Sequence, residues 1–129
     1  MLLDKDFLDN LSKLASENSR LRTSFDLRNS DKDNSQRMLN ALQPGTIVPI
    51  HRHPATAETL IVIRGSICQK FYNEKGELTD TFVLKAGDEC SALQIPAGQF
   101  HSLECLEANT VIFEAKDGPY MPVSPEDVL

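Results

Sequence analysis

The three histidines of the chain are spaced as metal ligands often are. His51 and His53 are separated by one residue, Glu58 follows after four intervening residues, and His101 comes after the turn Pro96–Gly98. Successive side chains of a strand alternate between its faces, so His51 and His53 project to the same side. Imidazole and carboxylate groups suit Mn, Fe, Ni, Zn or Cu, whereas three imidazoles are poor ligands for Ca or Mg. The sequence therefore predicts a transition-metal site.

The residues around these histidines resemble the two motifs of the cupin family. Every fixed position of the first motif is filled, by Gly45, His51, His53, Glu58 and Gly65. The second motif is filled by Gly87, Pro96, Gly98, His101 and Cys105. It departs from the usual pattern twice, because the gap between Gly87 and Pro96 is long and Cys105 stands where cupins commonly carry asparagine.

The resemblance implies an all-β fold, a single cupin domain built as a double-stranded β-helix or jelly-roll barrel. It also implies one divalent transition metal (Fe, Mn, Ni or Zn) held inside the barrel by His51, His53, Glu58 and His101. Such a ligand set leaves coordination positions for water or substrate, which suits catalysis. A structural zinc site would instead be closed by protein groups, usually including thiolates.

A narrower resemblance is to the WbuC family, small cupins often encoded near bacterial O-antigen genes. It is carried by Gln36–Gly45, His51–Pro54 and Gly118–Tyr120. The family has no settled activity, so the resemblance implies a fold and a metal site but no reaction. The chain departs from it after Arg20-Leu21-Arg22, where the family has Asn and His.

Length and composition limit the classes of protein that fit. With 129 residues the chain is expected to form one domain, divided into an N-terminal helix and polar arm (1–36), a barrel (37–117) and a tail (118–129). The net charge of −6 argues against non-specific nucleic-acid binding, which needs a basic face. The longest apolar run, Leu60 to Ile63, is too short to span a bilayer.

The cysteines and the first residues of the chain indicate the cellular compartment of the protein. Cys68, Cys90 and Cys105 are an odd number without Cys-x-x-Cys spacing, which indicates reduced thiols rather than a disulfide framework. The start of the chain lacks the basic and apolar regions of a signal peptide. We therefore expect a cytoplasmic protein.

Hydrophobic periodicity predicts one helix followed by short strands. The helix is expected over Lys5 to Ala15, capped by Asp4, with one apolar face made of Phe7, Leu8, Leu11, Leu14 and Ala15. A polar arm follows from Ser16 to Ser35, with room for a short strand around Leu21 to Leu27. Strands are expected over Met38–Leu42, Thr59–Ile63, Ile67–Tyr72, Leu78–Leu84, Cys90–Ile95, His101–Leu106 and Thr110–Ala115. The β-branched run Thr59–Ile63 is expected to be buried on both faces.

Four further residues are candidates for contact with a substrate. Strand parity sends Cys105 to the same side as His101, where it is either a buried apolar thiol or a reactive group near the metal. Arg20, Arg22 and Arg37 either bind an anionic substrate bidentately or form a solvated face paired with nearby aspartates.

These features favour a metal-dependent enzyme that acts on a small polar or anionic molecule, such as a sugar derivative of O-antigen metabolism. One alternative is a binding or sensing module whose metal only holds a small ligand. Another is a metal-free sugar-nucleotide isomerase or epimerase with a histidine base. We also expect a homodimer, because a small barrel has little to cover the face carrying Ile61 and Ile63.

Overall fold

The computed structural model describes residues 1–129, which form two antiparallel sheets and one N-terminal helix. The elements are α1 (Lys5–Glu17), β1 (Arg22–Asp26), β2 (Ser35–Leu42), β3 (Glu58–Arg64), β4 (Ser66–Tyr72), β5 (Leu78–Lys85), β6 (Ala92–Ile95), β7 (Phe100–Cys105), β8 (Thr110–Asp117) and a 3₁₀ turn (Pro125–Asp127). One sheet has the order β1-β2-β8-β3-β6 and the other β5-β4-β7. This is the expected all-β jelly roll. No helix is long and apolar enough to cross a membrane.

Strand β1 comes from the polar arm and forms the edge of the larger sheet. It pairs along its whole length with β2, from Arg22 opposite Leu42 to Asp26 opposite Met38. Strand β2 begins at Ser35, so the expected boundary after residue 36 falls inside a strand. The division of the chain into three segments stays a prediction.

Helix α1 lies against the outer face of the larger sheet. The carboxylate of Asp4 accepts a hydrogen bond from the Phe7 amide and satisfies a free N–H group of the first turn. Leu8, Leu11 and Ala15 are buried against three residues of β2 and β8, namely Leu39, Ala41 and Val111. The expectation that Leu14 shares this face is wrong, because Leu14 is 56% exposed.

Strand β3 alternates between the barrel interior and its outer surface. Leu60 and Val62 are buried inside, whereas Ile61 and Ile63 are 37% and 43% exposed. The expected burial of this run on both faces is therefore wrong. The cause is the position of α1, which covers β2 and β8 but leaves the outer side of β3 bare.

The barrel interior is apolar at one end. A cluster of buried side chains from both sheets fills it, made of Leu42, Leu60, Val62, Ile67, Leu84, Cys105 and Ile112. Farther along the same strands the inward positions become polar, and these positions carry the site described below.

Candidate metal centre

Backbone pairing brings the histidines together. The His51 amide donates to the His101 carbonyl at 3.1 Å, and the His101 amide donates to the His51 carbonyl at 2.8 Å. Residues paired in this way place their side chains on the same face. The ligand nitrogens of His51, His53 and His101 all lie within 4.8 Å of one another. Nitrogens bound to one ion at about 2.0–2.1 Å would be roughly 3 Å apart, so small side-chain rotations bring all three to a common metal.

In two of the imidazoles, a hydrogen bond determines which ring nitrogen is available to a metal. His51 Nδ1 lies 2.8 Å from the Pro49 carbonyl oxygen, and His101 Nδ1 lies 2.8 Å from the Gln99 carbonyl oxygen. A carbonyl only accepts hydrogen bonds, so each Nδ1 carries the proton and each Nε2 keeps a free lone pair. Metal-binding histidines are commonly oriented in this way. The donor set therefore fits a metal.

The protonation of the histidines also suits a metal. Burial, followed by the positive charge of Lys116, lowers the pKa of His53 to about 4. Burial likewise lowers the pKa of His51. Imidazole binds a metal only in its neutral form, so at neutral pH these two ligands need not lose a proton first.

Glu58 lies beside the three imidazoles and contacts one of them. Its Oε2 is 3.3 Å from His101 Nε2, and its Oε1 is 3.6 Å from Lys116 Nζ. Burial alone would raise its pKa, but a hydrogen bond from Glu114, the neighbouring His101 ring and the charge of Lys116 hold the pKa of Glu58 well below its usual range. Glu58 is therefore a carboxylate at the edge of the histidine cluster, and its direct bond to a metal stays a prediction.

Glu114 is a second carboxyl group of this site that the motifs did not indicate. Burial, followed by the charge of Glu58, raises the pKa of Glu114 well above its usual range. Its Oε1 accepts a hydrogen bond from Asn40 Nδ2 at 2.9 Å. The two opposite shifts favour a proton on Glu114 over one on Glu58. The available signal was the presence of a glutamate in the otherwise apolar strand Thr110–Ala115.

Lys116 is a second residue that the motifs did not indicate, and it contacts two predicted ligands. Its Nζ lies 3.4 Å from His53 Nε2 in addition to its contact with Glu58. Strand pairing explains the contact, because Lys116 stands directly opposite Glu58 in the β3–β8 register. Its ammonium group favours the charged form of Glu58 and the neutral form of His53.

His51 and His101 form part of the wall of a cavity of about 350 Å³ inside the barrel, whereas His53 borders a neighbouring pocket with Lys116. This volume suits a small-molecule ligand. Its polar wall contains His51, Glu58, His101, Arg22, Asn40, Gln69, Ser102, Glu114 and Tyr120, and its apolar wall contains Leu42, Val48, Leu60, Ile95, Leu103 and Ile112. The cavity thus joins candidate metal ligands to polar groups that a substrate would contact.

The structure separates the three candidate arginines. Arg22 lines the cavity, donates to the Thr46 hydroxyl and the Ile47 carbonyl, and has no carboxylate partner. Arg20 is exposed and borders a shallow groove outside the cavity. Arg37 is on the helix-covered side of β2, where it donates to the Leu27 carbonyl and pairs with Asp33 at 3.2 Å. The structure therefore brings only Arg22 to the site.

Cys105 lies in the apolar cluster at one end of the barrel and does not line the cavity. Its thiol donates to the Glu107 carbonyl at 3.1 Å, and burial raises its pKa. These surroundings match a buried apolar thiol. The alternation of side chains along the strand places Cys105 on the same face as His101, but not in the cavity.

The fold and the histidine site together define a member of the cupin superfamily. The family model that matches residues 3–84 is described as a domain of unknown function, DUF6016. The chain belongs to this family.

Similar proteins include a plant germin-like protein and two bacterial proteins. A germin-like protein of Morus alba is 32% identical over 79 residues, which are 60% of this chain and 36% of that protein. An oxalate decarboxylase of Bacillus subtilis is 27% identical, with a TM-score of 0.56 over 69% of this chain and 22% of that one. The Staphylococcus aureus capsular polysaccharide assembling protein CapF is 19% identical, with a TM-score of 0.66 over 87% of this chain and 32% of that one. The chain thus spans about a third of the length of the germin-like relative.

Proposed function

We propose that this protein is a metal-dependent enzyme that acts on a small anionic molecule inside the barrel. One observation carries the proposal: the imidazoles of His51 and His101, with Nε2 free for a metal, share a cavity with Arg22, an arginine that has no acidic partner. A partly buried cation without a counter-ion favours a ligand that supplies one.

Glu58 would complete the ligand set with His51, His53 and His101, around one Fe, Mn, Ni or Zn ion. When bound, such an ion acts as a Lewis acid toward an oxygen of the substrate. Three neutral imidazoles and one carboxylate leave a divalent ion with a net charge of about +1, which attracts an anionic ligand. Arg22 would bind the anionic group bidentately, and the carboxyl group of Glu114 would hold a proton beside the reacting atoms.

The substrate that we propose is a sugar derivative of bacterial surface-polysaccharide metabolism. The likeness to CapF, whose name refers to capsular polysaccharide assembly, and the motifs shared with the WbuC family support this assignment. The three cysteines are all free, which supports a reducing compartment such as the cytoplasm.

Metal analysis of protein purified without chelators tests the metal part of the proposal. We expect close to one transition-metal ion per chain, and we expect His53→Ala and His101→Ala to lose most of it because each removes one of three clustered nitrogens. Glu58→Gln should weaken binding without abolishing it. Full metal content in both histidine variants would refute the site.

Anion binding by metal-loaded protein tests the substrate part. Arg22→Ala should weaken the binding of small carboxylates and phosphates about tenfold or more, since a charged hydrogen bond contributes about 1.5–3 kcal/mol, while metal content stays unchanged. Arg20→Ala is the matched control, because Arg20 lies outside the cavity. Equal effects of the two substitutions would contradict the role of Arg22. Binding of anions without turnover of any would identify a ligand-binding module instead of an enzyme.

A further inference from the structure

One polar atom of a residue that lines the barrel cavity is buried without a hydrogen-bond partner. It is Oε1 of Gln69, and it is the only buried side-chain nitrogen or oxygen in the molecule without a partner. Gln69 is 1% exposed and lines the cavity together with His51, Glu58 and His101. In the strand register it stands opposite Leu103, which also lines the cavity.

The orientation of this amide is fixed by its other end. Gln69 Nε2 donates to the Ser102 carbonyl oxygen at 2.9 Å. Rotating the amide by half a turn would place two acceptor oxygens, Gln69 Oε1 and the Ser102 carbonyl, against each other. The partnerless atom is therefore an acceptor, which only a hydrogen-bond donor can satisfy.

Leaving a buried acceptor unpaired costs about 1–3 kcal/mol, which needs an explanation in a folded protein. Leucine or methionine would fill the same position without that cost, and the neighbouring side chains Leu60, Leu103 and Ile112 are apolar. An acceptor at this place in a small-molecule cavity matches the few fixed polar groups that orient a ligand.

We infer that Gln69 Oε1 accepts a hydrogen bond from a hydroxyl group of the ligand, and that the ligand is a hydroxylated carboxylate of about the size of a monosaccharide. The hydroxyl group satisfies Gln69, and the carboxylate pairs with Arg22. A cavity of about 350 Å³ accommodates a six-carbon acid of this kind. The inference rests on the proposed function, because it names the substrate class of the same site.

The rest of the cavity wall agrees with a ligand that has many hydroxyl groups. Glu58 and Glu114 offer further carboxyl oxygens as acceptors, and Asn40 stands beside Glu114. The side chains of Leu60, Ile95 and Ile112 cover the remaining wall and can pack against the carbon skeleton. A simple fatty acid would match the apolar part but would leave the acceptors unpaired.

The test compares two acids with the same six-carbon chain, gluconate with five hydroxyl groups and hexanoate with none, on metal-loaded protein by titration calorimetry. Wild-type protein should bind gluconate at least about tenfold more tightly than hexanoate. Gln69→Met should weaken gluconate binding about tenfold and change hexanoate binding less than about twofold, because it removes only the acceptor. Gln94→Met, a substitution on the outer face of β6, should change neither affinity.

The wild-type comparison remains decisive if Gln69→Met does not fold, because it needs no variant. Failure of gluconate to bind, equal binding of the two acids, or an unchanged gluconate affinity in Gln69→Met would overturn the inference. Metal content is measured in the same samples. Protein that lacks metal would refute the proposed metal enzyme. Metal-loaded protein that binds gluconate no more tightly than hexanoate would refute only the role of Gln69.

Discussion

Backbone carbonyl groups decide which nitrogen two of the histidines offer to a metal. The Pro49 and Gln99 carbonyls each hold an Nδ1 atom, and both belong to the residue two positions before the histidine that they orient. The nitrogen that each histidine offers to a metal is therefore determined within its own short segment of chain. The side chains that surround the histidines, by contrast, depend on strand pairing across the barrel.

Among the glycines, Gly65 is the position at which an added side chain would collide most severely. It has a φ of +81°, and a Cβ atom there would overlap Thr110 Oγ1 and lie 2.8 Å from Thr110 Cα. We expect Gly65→Ala to destabilise the fold by about 3 kcal/mol or more, because strain at positive φ adds to a backbone collision. Urea unfolding measures the loss.

Gly87→Ala is the matched control for this prediction. Gly87 has a similar φ of +77°, but a Cβ atom there would meet nothing within 4 Å. The loss of stability in Gly87→Ala should therefore be limited to the backbone strain, which is about 1–2 kcal/mol. Equal losses in the two variants would show that the collision with Thr110 contributes nothing.

The cysteines should differ in reactivity. Burial raises the pKa of the Cys105 thiol, and less thiolate at a given pH means slower reaction with an alkylating reagent. Cys90 is exposed. At pH 8 we expect iodoacetamide to modify Cys90 first and Cys105 only on unfolding, as measured by mass spectrometry of peptides. Rapid modification of Cys105 in folded protein would contradict its place in the apolar cluster.

The sequence predicted the residues that belong to fixed motifs, and it did not reveal those that arrive by strand pairing. Glu58 and the three histidines have spacings that can be read along the chain. Lys116 reaches the site only because β8 pairs with β3 in a register that places it opposite Glu58. A shift of one residue would turn Lys116 away from the interior, and no local pattern fixes that register.

At the scale of elements, helix α1 determines which part of the sheet is covered. Its existence and start followed from apolar spacing and from the Asp4 cap, but its contact face was predicted too wide. The face that packs is centred on Leu11, and Leu14 lies beyond it toward solvent. Periodicity alone marks an apolar side of a helix, whereas the sheet decides how much of that side is buried.

Substitutions on this helix should separate the two leucines. Leu11 is buried against β2 and β8, so Leu11→Ala should destabilise the fold by about 2–5 kcal/mol through lost burial and a cavity. Leu14→Ala should change stability by less than about 0.5 kcal/mol. Urea unfolding of both variants provides the measurement. A large loss in Leu14→Ala would mean that another surface covers this residue in solution.

A second element-level feature is the segment after the last strand. Val128 forms a bridge with His51, and the Leu129 amide donates to the Ile50 carbonyl at 2.9 Å. Prolines disfavour the middle of a sheet, and this segment lies along the edge beside the histidine cluster. The sequence does not indicate which edge it takes, because that depends on the turn Pro125–Asp127.

Apolar side chains gather at one end of the barrel and on the helix-covered face, and others are exposed, among them a strip on β3. The first two groups are buried within the chain. The strip, formed by Ile61 and Ile63, is not covered by any element. Exposed apolar surface of this kind, next to an edge strand as short as β6, is a common place for contact between subunits.

We predict that a second copy of the chain covers this strip in a symmetric dimer, in which the same residues of both subunits meet. Light scattering at micromolar concentration should give about twice the mass of one chain. The double variant with Ile61→Glu and Ile63→Glu should have the mass of a single chain, because the substitutions place charges in a desolvated contact. Val83→Glu is the control, since Val83 is an exposed aliphatic residue on the other sheet. A wild-type monomer would refute the dimer, and dissociation by Val83→Glu alone would place the interface on the opposite sheet.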